Sequence, residues 1–403
     1  MKSTIGDLAI FGGAKMFATP KPTSNLVRPD FEAFLEYSKV FFDQHQYTDD
    51  GILVKQLERR LAALHHTEHC VAFCSGFWAM ALAIKALVLP GRSEIVMPSF
   101  TYRRMADIAA WTRLKPHFCD VEGDTLANSA ATVLPCINEN TGLIMGVHPI
   151  VNSCDIDGLV DLAGRSGVPL LFDSVESVYE YSAGQKIGGF GSAEIFSLGA
   201  SKLVNGFEGG YITTSDAKLA DRLSQMRNFG LNREDNVATA DGLNAKLNEV
   251  HAAMALAGLD GLEEQIARNR ERYLTYKRLM APLKGLRLFE FDETQRPGYK
   301  NIVIEVLDDW PLTRAETVSI LNAEMILARA YYTPPLHRKR MAYPHVPATL
   351  PVTDELAERF ILPPCGHLVS NEDIAEIVGM LNFISANASQ IKSGLQQQAM
   401  QSQ

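Results

Sequence analysis

Between Cys70 and about Thr214 the chain alternates short, continuously apolar runs with helical stretches. This alternation limits the fold more than any other feature. The runs are Cys70–Cys74, Glu94–Met97, Lys115–Cys119, Leu143–Val147, Val168–Phe172, Ala193–Leu198 and Gly210–Thr213. Helical patterns lie between several of them, at Phe77–Leu89, Tyr102–Thr112 and Asp157–Arg165. A strand that is apolar at consecutive positions is buried on both faces. That requires helices above and below a mostly parallel sheet. The expected architecture is therefore α/β, with a seven-stranded sheet flanked by helices.

The flanks are organised differently. Residues 1–24 are rich in Gly, Pro, Lys and Thr and read as an extended N-terminal arm, in which Gly12-Gly13 reads as a plain turn, with a phosphate contact as the alternative. Helices are expected at Asp30–His45 and at Ile52–Leu64, where Leu53, Leu57, Leu61 and Leu64 recur at helical spacing. With these, the large domain spans residues 25–250. A helical region follows from Asn248 to Leu283, broken near Gly258–Gly261. Strand-like Leu286–Phe291 and Asn301–Val306 and helices at Thr313–Ala323 and Asn371–Ile384 complete a smaller α+β domain over 251–385. The Gln-rich stretch 386–403 reads as a disordered tail.

Composition excludes several classes of function. The 403 residues carry 38 Lys plus Arg against 47 Asp plus Glu, a net charge of −9. An acidic chain without a basic stripe is not expected to bind nucleic acid. Six scattered Cys form no CxxC pair, which fits a reducing compartment and no disulfide scaffold. Asp7 interrupts the apolar stretch at the N-terminus, so no signal peptide is expected, and no membrane span is expected either. A cytoplasmic enzyme is the expectation.

Four segments, each at the end of an expected strand, carry chemistry. Asp173 ends the apolar run VPLLFD, where a carboxylate is partly buried and needs a cationic partner. Lys202 follows the run Glu194–Leu198 in a loop of small residues, where desolvation would lower its pKa and free a nucleophilic amine. Ser75-Gly76-Phe77 opens a helix directly after a strand, so unpaired N–H groups and the helix dipole can face a phosphate. Tyr102 opens another helix after Pro98-Ser99-Phe100-Thr101. Singly, each has a bland reading: a helix cap for Asp173 and Ser75, a solvated lysine, a core tyrosine. Together they would address the four parts of pyridoxal phosphate, namely phosphate, ring face, ring nitrogen and aldehyde.

Several motifs carry a wider likeness, over roughly Thr48 to Asn382. They are SGFWAMALAIKAL (Ser75–Leu87), MPSFTY (Met97–Tyr102), FDSVES (Phe172–Ser177), SLGASK (Ser197–Lys202), FEGG (Phe207–Gly210), MRNFG (Met226–Gly230), GLNAKLNEVHAA (Gly242–Ala253) and YYTPPLH (Tyr331–His337). In these the chain resembles the nucleotide-sugar aminotransferases of the DegT/StrS type, which are fold-type-I pyridoxal phosphate enzymes. The resemblance implies that Lys202 links covalently to the cofactor and later moves a proton between the carbons flanking the imine nitrogen. It implies that Asp173 holds the ring nitrogen protonated and that Tyr102 stacks on the ring. The Gly76 and Phe77 amides and the Ser197 hydroxyl, beside Ser75, would hold the phosphate. Asn244 would reach the phosphate of a neighbouring subunit, which implies a homodimer with shared active sites. Tyr332 and His337 would line the sugar-nucleotide pocket.

The chain departs from the family pattern at four places. Phe77 stands where the family has Thr, and Phe207 and Asn152 stand where it has Gly. Glu176 stands where it has His or Gln, facing the cofactor's 3′ oxygen. Burial and like charge would raise the pKa of Glu176, so it is expected protonated or turned away, unless it pairs with a nearby cation. His65-His66-Thr67-Glu68-His69 fits H-x-x-E-H, but it ends a helix and enters a strand, so no metal site is expected. The basic run Arg338-Lys339-Arg340 reads either as a solvated loop or as a partner for a substrate diphosphate. The expected reaction moves an amino group from L-glutamate to a nucleotide-linked keto sugar, with a dTDP-4-keto-6-deoxyhexose as the best candidate. The alternatives are an aminotransferase for a cyclitol or another non-nucleotide ketone, and a catalytically inactive ligand-binding regulator.

Overall fold

The computed structural model describes residues 2–23 and 28–401. Met1, Ser24 and the final residues 402–403 of the expected arm and tail lie outside the described residues. All seven expected runs are strands of one sheet: β1 (His69–Phe73), β2 (Glu94–Pro98), β3 (Lys115–Cys119), β4 (Thr141–Val147), β5 (Leu170–Asp173), β6 (Ala193–Ser197) and β7 (Gly210–Thr214). Their order is β1-β7-β6-β5-β4-β2-β3. β7 runs antiparallel to both neighbours, and the remaining pairings are parallel.

Successive side chains of a strand point to opposite faces, so a continuously apolar strand feeds two cores. Val71 and Phe73 of β1 pack into one core and Ala72 into the other. The first core is closed by helices α3 (Gly76–Leu87), α4 (Met105–Trp111) and α6 (Ala217–Arg227). The second is closed by α2 (Ile52–Leu64), α5 (Ile156–Ser166) and α7 (Glu249–Asp260). Helix α1 (Phe31–Asp43) packs outside α2 and α7, its N-terminus capped by Asp30, which accepts from Ala33 N at 2.7 Å. The buried Glu249 carboxylate accepts from the N–H groups of Leu53 and Val54 at 2.8 and 3.0 Å, and so ties the start of α2 to the start of α7.

The strand order fixes where a ligand can sit. The chain steps from β2 outward to the edge strand β3, then returns to place β4 on the other side of β2. The loops leaving β2 and β4 therefore diverge, and open a crevice at the carboxyl end of the sheet.

The smaller layer is an antiparallel sheet, β8 (Leu286–Leu288), β9 (Ile304–Val306), β10 (Arg329–Tyr331) and β11 (Phe360–Leu362), in the order β8-β9-β11-β10. Helices α8 (Leu262–Met280), α9 (Arg314–Ala323) and α10 (Asn371–Ala386) accompany it. The expected strands at Leu286–Phe291 and Asn301–Val306 are shorter than the sequence suggests, and residues 298–303 are irregular backbone. No described helix is long and apolar enough to cross a membrane.

Two expectations are corrected at the termini. The arm is not simply extended. Ile5–Asp7 and Ala9–Phe11 are 3₁₀ turns, Gly12-Gly13 makes the expected turn, and Lys21-Pro22 pair with Ile326-Leu327. The buried Glu324 carboxylate anchors the arm by accepting from Ala9 N at 2.7 Å and Met16 N at 2.8 Å. The C-terminal stretch is not disordered either: Ala388–Gln401 is helix α11. Its composition is polar overall, but Ile391 is fully buried and Leu395, one turn on, packs beside it. Gly394 lies so close to Phe11 that a Cβ would meet the ring at 2.8 Å, and Gln398 donates to Ile10 O at 2.9 Å. One apolar stripe is enough when a partner surface already exists. Ile391→Ala should therefore lower stability in urea denaturation by about 2 kcal/mol. Gln396→Ala, on the exposed side, should stay within about 0.5 kcal/mol. Equal values for the two variants would contradict a packed helix.

Candidate active site

The crevice collects the expected chemical groups. Asp173 is the last residue of β5 and buried. Its Oδ1 accepts from Val175 N at 3.2 Å. Burial raises its pKa to about 6, against the opposing effects of that bond and of nearby Lys202. Lys202 follows β6 in a turn closed by its own N–H on Gly199 O at 2.8 Å. Its Nζ lies 2.7 Å from Glu176 Oε1.

The electrostatics differ from the expectation in two respects. Burial alone would lower the pKa of Lys202, but the Glu176 carboxylate outweighs it and the pKa is raised. The free amine is therefore held as an ammonium, not as the depressed nucleophile read from its small neighbours. Glu176 is also not protonated. Burial would raise its pKa, but Lys202 and Lys300 hold it well below the usual carboxylate range. Its Oε2 accepts from Lys300 Nζ, and from Asn301 Nδ2 at 3.3 Å. The alternative of pairing with a cation is what the chain adopts, with two cations. Burial, helped by the neighbouring Lys202 charge, lowers the pKa of Lys300 to about 8.

A cradle faces these groups across the sheet end. Ser75 caps α3, accepting from Trp78 N at 3.3 Å. The N–H groups of Gly76 and Phe77, in the first turn, have no intrahelical acceptor. A Cβ on Gly76 would meet Ser197 Cβ at 3.2 Å and Oγ at 3.3 Å, so the Ser197 hydroxyl sits over the helix start. A Cβ on Gly210 would meet Gly76 Cα at 2.5 Å, so β7 requires glycine to lie this close to α3. Phe77 is partly exposed, with its ring 5.2 Å from Trp78 and 6.5 Å from Trp111.

Tyr102 is half exposed at the end of the β2 loop, close enough to Lys202 to contribute to its field. Tyr332 is half-buried, with its ring 5.6 Å from Phe100, and its phenol shares the field of Glu176, Asp173 and Tyr102. His337 is committed elsewhere. Its Nδ1 is 2.7 Å from Ser99 Oγ and its Nε2 is 3.1 Å from Asp354 Oδ1, so neither ring nitrogen is left for a sugar. Asn244 is exposed, beside Asn228, in a segment whose Ala245 O accepts from Cys74 N at 2.8 Å. His65, from the H-x-x-E-H run, is buried between Ile187 O at 2.6 Å and the Tyr211 hydroxyl at 2.9 Å. The described residues contain no cluster of three or more metal-ligating side chains.

Sequence reasoning missed Lys300 and Asn301, which come from irregular backbone of the smaller layer. It also missed His148, whose backbone N–H donates to Asp173 O at 3.0 Å and whose ring stacks on Phe172 at 5.4 Å. His148 Nδ1 accepts from Cys154 N at 3.2 Å, and Nε2 is buried without a partner among the described residues.

These residues fit pyridoxal phosphate. Free helix N–H groups and a hydroxyl form an anion cradle, a carboxylate is buried without a direct cationic contact, and a lysine and an uncovered aromatic ring lie beside it.

A model of the DegT/DnrJ/EryC1/StrS aminotransferase family matches residues 31–382. The chain is 25% identical over 352 residues to the dTDP-4-amino-4,6-dideoxy-D-glucose transaminase of Shigella dysenteriae, covering 87% of this chain and 95% of that protein. It is 29% identical over 357 residues to the L-glutamine:2-deoxy-scyllo-inosose aminotransferase of Streptomyces fradiae, covering 80% and 84%. The crystal structure of DesI with its TDP-sugar product superposes with a TM-score of 0.91 at 30% identity, over 98% of this chain and all of that one. The chain thus belongs to the DegT/DnrJ/EryC1/StrS aminotransferase family and is a pyridoxal-phosphate-dependent aminotransferase.

Proposed function

We propose that this aminotransferase works in the cytoplasm and transfers an amino group from L-glutamate to a nucleotide-linked keto sugar, with a dTDP-4-keto-6-deoxyhexose as the preferred acceptor. One observation carries the substrate class. A cavity of about 770 Å³ begins at Tyr102 and is lined by Arg103, Arg104, Lys339 and Arg340, with Asp107 as its one carboxylate. Arg104 and Tyr343 already engage Asp107, at 2.9 and 2.6 Å. The guanidinium groups of Arg103 and Arg340 remain for a ligand. Forked guanidinium groups suit phosphate oxygens. The likeness to a dTDP-sugar transaminase and to DesI supports the same class.

Each residue then has a task. Lys202 binds the cofactor's aldehyde and carries a proton on Nζ. Asp173 holds the proton on the ring nitrogen. The Gly76 and Phe77 amides and Ser197 Oγ, with the cap of Ser75, hold the phosphate, and Tyr102 covers the ring. Glu176 restrains Lys202. Tyr332 borders the sugar, whereas His337 shapes the wall by clamping Ser99 to Asp354. When bound, the cofactor supplies a carbonyl that accepts amines and a ring that accepts electrons. Asn244 is exposed in one chain, and we infer that it serves the phosphate of a second subunit in a homodimer. A monomer at working concentration in analytical ultracentrifugation would overturn that assignment.

The cyclitol reading has its own support in the Streptomyces fradiae relative. A cyclitol carries no diphosphate and leaves the basic cavity unused. Arg103→Ala and Arg340→Ala should each raise KM for the dTDP-linked ketone about tenfold, as loss of one charge-assisted contact implies, with kcat little changed. An unchanged KM in both variants would favour the cyclitol.

The raised pKa of Asp173 sets a pH limit. Below about 6 it takes up a proton and can no longer balance a protonated ring nitrogen. Affinity for pyridoxal phosphate, titrated by its visible band, should fall as pH drops through about 6. Asp173→Asn should bind weakly at every pH, without that step. A step of equal size in Asp173→Asn would assign the titration to another group.

A further inference from the structure

We propose that Lys300 is a positioning residue for the reactive lysine: with Asn301 it holds one oxygen of Glu176, so that the other oxygen restrains Lys202 Nζ. This rests on the reading of Lys202 as the cofactor-binding lysine. The geometry is a chain of charge. Glu176 Oε1 meets Lys202 Nζ at 2.7 Å, while Oε2 meets Lys300 Nζ and, at 3.3 Å, Asn301 Nδ2. The side chains of both lysines and of Glu176 are largely buried. A lone buried carboxylate beside a single lysine would share one proton with it, and could turn away when the amine reacts. The second ammonium fixes both the charge and the direction of Glu176.

Lys300 and Asn301 belong to the smaller layer, whereas Glu176 and Lys202 lie on the large sheet's loops. The Lys300–Glu176–Lys202 contacts therefore join the smaller layer to the loop of the large sheet that carries Lys202. The other titratable groups facing this cluster are Asp173, Tyr102, Glu180, Tyr331, Tyr332 and Cys365. Asp173, ionised above about pH 6, is the one further carboxylate whose charge also acts on Lys202.

Charge arithmetic gives opposite signs for the two partners. Glu176→Gln removes a negative charge next to Lys202 Nζ, so its nitrogen should lose a proton more readily. Lys300→Met removes a positive charge, so the same nitrogen should hold its proton more tightly. The readout is the pH midpoint of the visible band of the lysine-bound cofactor, which follows that proton. The midpoint should fall by about one pH unit in Glu176→Gln and rise by about half a unit in Lys300→Met. In the double variant the two shifts should offset in part, leaving the midpoint about half a unit below wild type, and Lys300→Arg should stay near wild type. A role in packing alone would move both single variants the same way, or move neither, and either result overturns the proposal. If Lys300→Met fails to fold, Glu176→Gln and Lys300→Arg still decide: an unchanged midpoint in the first, or an altered one in the second, overturns it.

A cofactor-independent measurement separates this proposal from the functional reading. Acetic anhydride labels unprotonated amines, and peptide mass spectrometry identifies Lys202. At pH 8, cofactor-free Glu176→Gln should label at Lys202 several-fold faster than wild type, and Lys300→Met slower. These rates hold even if wild type takes up no pyridoxal phosphate, a result that would sink the functional reading alone. Equal labelling in all three proteins would sink the proposal alone.

Discussion

Charges buried at the carboxyl end of the large sheet must balance one another, and much of the site's structure follows from that requirement. Asp173, Glu176, Lys202 and Lys300 crowd into a crevice from which water is largely excluded. Two carboxylates there would repel, and two ammonium groups would as well. Alternating them makes each tolerable. The arrangement leaves Asp173 as the carboxylate without a direct cationic contact, and of the two carboxylates it is the one whose pKa is raised. A cationic ring nitrogen completes the set. Such a ring nitrogen would give Asp173 the direct cationic partner that the protein alone does not supply.

The scaffold delivers these groups because it is rigid where they emerge. Each sits at a strand end or in the first turn of a helix: Asp173 on β5, Gly76 on α3, Tyr102 beyond β2 and Lys202 in a closed turn beyond β6. The strands are buried on both faces, so the positions of their ends are over-determined by two cores. The contact between Gly210 and Gly76 brings the phosphate cradle close to β7. The smaller layer contributes Lys300 and Asn301 through irregular backbone, and Tyr332 beside them. The residues proposed to hold the cofactor thus come from the large sheet, while the smaller layer supplies Lys300, Asn301 and Tyr332 around them.

Much of this was legible in the sequence. Strands buried on both faces leave unbroken apolar runs, so β1 to β7 could be read directly. Asp173 and Lys202 stood out only in combination with Ser75–Phe77 and Tyr102 and through the family motifs, since singly each reads as a helix cap or a solvated lysine. Lys300 did not stand out, because nothing local marks a lysine in a loop about 120 residues from its partner. That blind spot explains the two electrostatic corrections. Without Lys300 in view, Glu176 looked like an isolated carboxylate that would be protonated, and Lys202 looked like an isolated amine that would be depressed. β10 and β11 were missed because three residues are too few for an alternating pattern. α11 was missed because its polar composition hid Ile391 and Leu395, which join the core, and because Ile10 and Phe11, which meet Gln398 and Gly394, lie at the other end of the chain. The family resemblance alone put His337 in the sugar-nucleotide pocket, and only the structure revealed that Ser99 and Asp354 engage both its nitrogens.

The central claim is that this crevice moves an amino group between glutamate and a ketone carried on a nucleoside diphosphate. Half-reaction spectroscopy tests it most directly. The visible band of the purified holoenzyme should disappear on adding L-glutamate, and should return on adding a dTDP-4-keto-6-deoxyhexose but not a keto-cyclitol. Lys202→Ala should show no such cycle. A band that ignores glutamate, or that returns equally with the cyclitol, would contradict the account.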